Sequence, residues 1–250
     1  MKIDLTQKVA IVTGGSKGIG AAIAKELAAC GAIVVITYHS AASDADRVIN
    51  TIREAGGQAI ALQADIARHT DIINLFKQVK EQFGQLDVLV NNAGIARFGP
   101  IEAVTEDDFL EQYRVNVLGP MLAIQESLTY FPQTGGSIVN VSSVGGQNPG
   151  PYTSIYTSSK AALNALTVSL SRELVTRYIR VNTVAPGPTD TEGSKALGLA
   201  GTAIEQGMIA AIPMGRFGKP DEIAPAVAFL ASDQAGWITG ETLAVSGGMR

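Results

Sequence analysis

Cysteine is nearly missing from the 250-residue chain: Cys30 stands alone, which excludes an intrachain disulfide and any multi-cysteine metal site. Its neighbours Leu27, Ala28 and Ala29 mark it as a buried small hydrophobe rather than a nucleophile. Histidine is almost as scarce, with only His39 and His69, so no metal is expected and a histidine-based triad is poorly supplied. Runs of Lys or Arg are absent and the net charge is -4, so a nucleic-acid partner, which needs a basic stripe to displace counterions, is not expected. Hydrophobic residues make up 46%, yet they fall in short runs, none reaching the ~18 residues of a spanning helix. No membrane partner is expected. The start, Met1 to Thr6, lacks the charged, apolar, small order of a secretory signal. A cytoplasmic protein is expected, with small molecules and copies of itself as partners.

Short apolar runs alternate with longer amphipathic ones, which is the pattern of a doubly wound α/β fold: a parallel sheet with helices on both faces. Strands are expected at Val9–Thr13, Ile33–Thr37, Ala59–Gln63, Leu86–Val90, Ser137–Val141, Arg180–Ala185 and Thr242–Val245. With no repeat or linker between them, residues 1–250 read as one domain. Thr70 is placed to cap a helix ending at Gly84, Thr105 to Asp108 start another, and Asn116 falls in a helical run continuing past Gly119-Pro120 to Leu128. Residues 192–211 have many small side chains and weak periodicity, and read as mobile helices over a site.

The first strand runs into Gly14-Gly15-Ser16-Lys17-Gly18-Ile19-Gly20 and then a helix to Cys30. Glycines let the backbone approach a pyrophosphate while the N–H groups of the helix start point at it; an ordinary tight turn also fits. In a dinucleotide-binding unit a carboxylate about 20 residues later would bond the ribose 2'-hydroxyl, but Tyr38-His39-Ser40 offers none. That missing acid, and Lys17 within the turn, favour a 2'-phosphate, hence NADP over NAD. The fourth strand ends at Asn91-Asn92-Ala93-Gly94, which suits either close ligand contact or a simple turn.

Tyr156-Thr157-Ser158-Ser159-Lys160 opens a segment, to about Tyr178, in which Leu163, Leu166, Leu170 and Leu174 recur at helical spacing. Tyr156 and Lys160 then share a face one turn apart. An ammonium beside a phenol favours the phenolate, lowering its pKa from about 10 toward working pH, as a general acid or base requires. A solvated helix face is the plain alternative.

Taken together, Thr13 to Gly20, Asn91 to Gly94, Ser143 with Tyr156 to Lys160, and Pro186-Gly187 resemble the short-chain dehydrogenase/reductase family over nearly the whole chain. The resemblance implies a Rossmann-type seven-stranded parallel sheet of order 3-2-1-4-5-6-7, usually assembled as a homotetramer. It assigns Tyr156 as general acid, Ser143 as a second hydrogen bond to the carbonyl oxygen, Lys160 to the nicotinamide ribose, and Asn116 to a water of the proton route. Gly14, Ser16, Lys17, Gly18, Ile19 and Gly20 would hold the pyrophosphate end. Tyr38, His39, Ser40, Asp65 and Ile66 would surround the adenosine, and Asn92, Ala93, Gly94, Pro186, Gly187, Thr189 and Thr191 the nicotinamide cleft. Tyr38 replaces the aspartate of NAD-preferring members, while His39 stands where many NADP-preferring members carry arginine. The expected activity is NADPH-dependent reduction of a ketone, a 3-oxoacyl or small free ketone; the rivals are an NAD-dependent alcohol or polyol dehydrogenase and a non-catalytic nucleotide sensor.

Overall fold

Runs of buried β-branched residues form the strands: β1 (Val9–Val12), β2 (Ile33–Tyr38), β3 (Gln58–Gln63), β4 (Val88–Asn91), β5 (Gly136–Val141), β6 (Ile179–Pro186) and β7 (Thr242–Val245). In this computed structural model, which describes residues 3–196, 198 and 200–249, they pair in parallel in the order β3-β2-β1-β4-β5-β6-β7. The helices between them are α1 (Gly18–Ala29), α2 (Ala42–Glu54), α3 (His69–Phe83), α4 (Glu106–Tyr113), α5 (Gly119–Ser127), α6 (Ser154–Leu174), α7 (Glu192–Lys195), α8 (Ala203–Ala210) and α9 (Pro220–Ala231). Residues 197 and 199, inside the 192–211 segment expected to be mobile, lie outside the described residues.

Strand alternation divides the core in two. Ala10, Val12, Val34, Ile36, Val88 and Val90 face Ile23 and Leu27 of α1, Val48 and Ile52 of α2, and Val227 and Leu230 of α9. Val9, Ile11, Val35, Leu89 and Ile138 face Ile72, Leu75 and Phe76 of α3, Ile124 of α5 and Leu174 of α6. Because the chain returns from β3 to place β4 against β1, the loops after these two strands part at their carboxyl ends. That crevice is where an open α/β sheet takes its ligand.

Three local expectations are corrected. Thr70 is the second residue of α3 rather than its cap, Arg68 holding that position. Helix α6 starts at Ser154 and ends at Leu174, a 3-10 turn over Val175–Arg177 following it. Its stop was hard to read because Tyr178, at φ 59°, takes the left-handed position that glycine usually fills. The run through Asn116 is not one α-helix: Arg114–Leu118 is a π turn between α4 and α5. Pro120 explains the break, having no N–H to give the Asn116 carbonyl four residues back.

Candidate active site

The turn after β1 is fixed by side chains that reach across the crevice. Thr13 Oγ1 accepts the Asn92 and Ala93 N–H groups at 3.0 Å each, and the Asn92 amide donates to the Thr13 and Gly14 carbonyls at 2.9 and 3.1 Å. Thr37, at the end of β2, accepts the Gly14 N–H at 3.1 Å. Gly14 has φ +64°, and a Cβ on Gly20 would lie 2.4 Å from both the Asn92 amide nitrogen and the Gly14 carbonyl. Only glycine allows this closeness. The start of α1 has no side-chain cap and no acid in its first turn, so its N–H groups face the crevice with their positive partial charge.

An anionic group already tests that end. The Gly18 N–H donates at 3.1 Å to the carboxylate of Glu192, from the segment after β6; the carboxylate stands in for a phosphate oxygen. The residues therefore fit a dinucleotide cofactor whose pyrophosphate lies at the helix start.

At the other side of the crevice, Ser143 follows β5 and its hydroxyl is hydrogen-bonded to the Tyr156 phenol. The Ser143 Oγ also accepts the Gly145 N–H at 3.1 Å, which fixes its rotamer. Ser142, by contrast, is buried and donates to the Lys160 carbonyl at 3.1 Å. Of the two adjacent serines, only Ser143 meets the phenol, as alternation requires. Lys160 is 5% exposed, and its ammonium donates to the Val141 carbonyl at 3.0 Å while lying 5.9 Å from the centre of the Tyr156 ring.

Asn116 completes this wall from the π turn. Its amide accepts the Ile95 N–H at 2.9 Å and donates to the Ile95 carbonyl at 2.9 Å and to Ser159 Oγ at 3.0 Å. It thus clamps the loop after β4 to α6. A Cβ on Gly94 would stand 3.3 Å from Asn116 Oδ1 and 3.4 Å from Lys160 Nζ, so these two groups flank one small space. Phe98 lies edge-on to Tyr156, ring centres 5.4 Å apart.

The charge states differ from the sequence expectation. Burial raises the Tyr156 pKa, and the hydrogen bond from Ser143 opposes this only in part. Burial also pulls Lys160 down from 10.5 to about 8. A lysine lowering the tyrosine was expected; what decides instead is that both groups lose water, which disfavours phenolate and ammonium alike. The phenol holds its proton at neutral pH.

The remaining predicted residues are all at the crevice, and several have partners within the chain. Pro186 ends β6, Thr189 Oγ1 donates to the Gly187 carbonyl at 2.8 Å, and Thr191 caps α7 by accepting the Ser194 N–H at 3.0 Å. At the adenosine end, Ile66 is buried, and Tyr38 is half-buried at the end of β2 beside the exposed His39 and Ser40. Asp65 Oδ1 accepts the Ala67 N–H at 2.9 Å, and its other oxygen is 3.9 Å from His39 Nε2. Ser16 and Ile19 are half-buried in the turn. The positive charge that Lys17 brings to the turn is paired: its ammonium is 2.6 Å from the Asp44 carboxylate. Sequence reasoning missed Asp44 and Phe98 as site residues and placed Glu192 only in a covering segment, not on the Gly18 N–H, because each acts through a contact between distant segments.

Residues 14–250 match the family model described as Enoyl-(Acyl carrier protein) reductase. The chain belongs to the short-chain dehydrogenase/reductase family. Within the family it is 50% identical to an uncharacterised oxidoreductase of Methylorubrum extorquens, covering 98% of this chain and 99% of that one. It is 40% identical to a 3-oxoacyl-[acyl-carrier-protein] reductase of Staphylococcus aureus (97% and 98% covered) and 39% identical to glucose 1-dehydrogenase 2 of Bacillus subtilis (98% and 96% covered). Among solved structures, a dehydrogenase/reductase of Sinorhizobium meliloti superposes with TM-score 0.94 at 41% identity, covering 100% and 97%. A short-chain dehydrogenase of Burkholderia cenocepacia in complex with NADP gives 0.91 at 41%, covering 98% of each chain. As a member of this family the protein is an NAD(P)-dependent oxidoreductase acting on CH–OH groups. No described helix is long and apolar enough to cross a membrane.

Proposed function

We propose that the protein reduces a ketone to a secondary alcohol with NADPH, with Tyr156 as the proton donor. The observation that carries this reading is the geometry of the Tyr156 phenol, hydrogen-bonded to Ser143 with the Lys160 ammonium 5.9 Å from its ring centre. When bound, the cofactor supplies hydride to the carbonyl carbon. Tyr156 gives its proton to the carbonyl oxygen, and Ser143 holds that oxygen in line by a second hydrogen bond. Lys160 would bond the nicotinamide ribose and stabilise the phenolate left behind. Asn116 fixes the loop that carries Asn92, Ala93 and Gly94, and would hold a water of the proton route beside Lys160. The glycine turn, with Thr189 and Thr191, would hold the pyrophosphate and carboxamide, and the segment from 192 to 211 would cover the site.

The substrate is best read as a free, moderately hydrophobic ketone. Phe98 and Tyr152 line a cavity beside Tyr156 whose one cation, Arg97, is paired with Asp108 at 3.3 Å and with Glu111. Glu102, Glu106 and Asp107, close in sequence to the lining residues Ala103 and Asp108, are exposed. Acidic carrier proteins would meet like charge there, and Lys195, which could have helped, is 3.0 Å from Asp190.

The alternative, an NAD-dependent alcohol or polyol dehydrogenase, is favoured by one observation, the neutralisation of Lys17 by Asp44. Fluorescence titration with NADPH and NADH, followed by a ketone panel with the tighter cofactor, tests the choice. NADPH binding about tenfold tighter, ~1.4 kcal/mol, supports the reductase; tighter NADH binding moves the dehydrogenase forward.

A further inference from the structure

Asp44 stands in the first turn of α2, which starts just beyond the end of β2. In a doubly wound fold the adenosine ribose lies against that strand end. The Asp44 side chain is only 13% exposed, and it bridges two cations: Lys17 from the glycine turn at 2.6 Å, and Arg47 one turn further along α2. Both cations draw its pKa down, Lys17 first, so it is a fixed negative charge at any working pH. The third basic side chain at this mouth, His39, leans 3.9 Å from Asp65. The corner where a 2'-phosphate would be received thus holds two cations, Lys17 and Arg47, both facing the Asp44 carboxylate.

We propose that Asp44 is a specificity-determining residue that weakens the hold of this corner on a 2'-phosphate and so narrows the enzyme's preference for NADP over NAD. The inference rests on the NADP reading above. A phosphate monoester brings close to two negative charges. To reach Lys17 it must displace or share the Asp44 carboxylate, and it meets that carboxylate's repulsion as it does so. NAD presents a neutral hydroxyl at the same place, which feels neither effect. Removing the Asp44 charge leaves Lys17 and Arg47 for the phosphate: the local sum of these three charges goes from +1 to +2.

The test is Asp44→Asn, which keeps the size and hydrogen-bonding reach of the side chain. NADPH, NADH, 2',5'-ADP and 5'-ADP are titrated against the wild type and the variant at low and at physiological salt. A dianion at about 6 Å from a unit charge in a watery dielectric gives roughly a tenfold effect. NADPH and 2',5'-ADP should bind about tenfold tighter to the variant at low salt, NADH and 5'-ADP should change less than about twofold, and added salt should shrink the gain. Circular dichroism and the melting temperature of the variant guard against loss of α2. Weaker binding of 2',5'-ADP by a folded variant would overturn the proposal, because it would mean that Asp44 positions Lys17 for the phosphate. An equal gain for 5'-ADP would also overturn it. Failure of the NADP reading shows separately, as a wild type that binds NADH more tightly than NADPH.

Discussion

Replacing Lys160 by methionine should make the protein more stable while removing its activity. Lys160 is 5% exposed, and its ammonium donates to the Val141 carbonyl at 3.0 Å. Its pKa falls from 10.5 to about 8 through loss of water, which corresponds to roughly 3 kcal/mol at about 1.4 kcal/mol per pH unit. The lost bond to Val141 offsets about 1 kcal/mol. A net gain of about 2 kcal/mol at pH 7 remains, or a rise of about 4 to 8 °C in melting temperature for a chain of this size. The sign follows from the folded pKa lying below the unfolded one: the cost of charging Lys160 is in full force below pH 8, shrinks between about 8 and 10.5, and is gone above. Thermal unfolding of wild type and Lys160→Met should therefore show a gap that closes as pH rises through this window. A variant that melts at or below wild type at pH 7, or a gap independent of pH, would refute the claim that this ammonium is held at a cost.

Other outcomes follow from the same groups. The kcat/KM for ketone reduction should be level below pH 8 and fall above it as Lys160 loses its proton, with the phenol, raised by burial, still protonated; a profile rising through pH 8 would contradict the assignment. Glu192→Gln should tighten NADPH and NADH alike by a few-fold, because the carboxylate on the Gly18 N–H competes with the pyrophosphate common to both. Equal affinities before and after, measured by the same titration, would count against that competition. Limited proteolysis over residues 192–211 should slow when cofactor is added, and unchanged cutting would argue against a covering segment.

The strands themselves and the glycine turn were legible because they depend on local pattern, whereas the order of the strands came from the resemblance to the family. Short apolar runs such as Val9–Val12 and Ile33–Tyr38 state a buried strand by themselves, and glycine at 14 and 20 states a close approach. The π turn at Asn116 left one trace, Pro120, whose missing N–H breaks the helix ladder. What could not be read was electrostatic. Asp44 looks like an ordinary acid in a helix's first turn until Lys17 is seen beside it, and Glu192 lies 174 positions from the N–H it accepts. The direction of the Tyr156 shift was missed for a related reason: a spacing of four places Lys160 near the ring, but only the fold reveals how far both are removed from water.

The most direct test of the central claim is Tyr156→Phe, assayed for ketone-dependent NADPH oxidation and for NADPH binding. Loss of the acid should cut turnover by at least ~100-fold while leaving the dissociation constant within about twofold of wild type. Turnover close to wild type in the variant would show that another group supplies the proton, and the proposed assignment of Ser143, Tyr156 and Lys160 would fall.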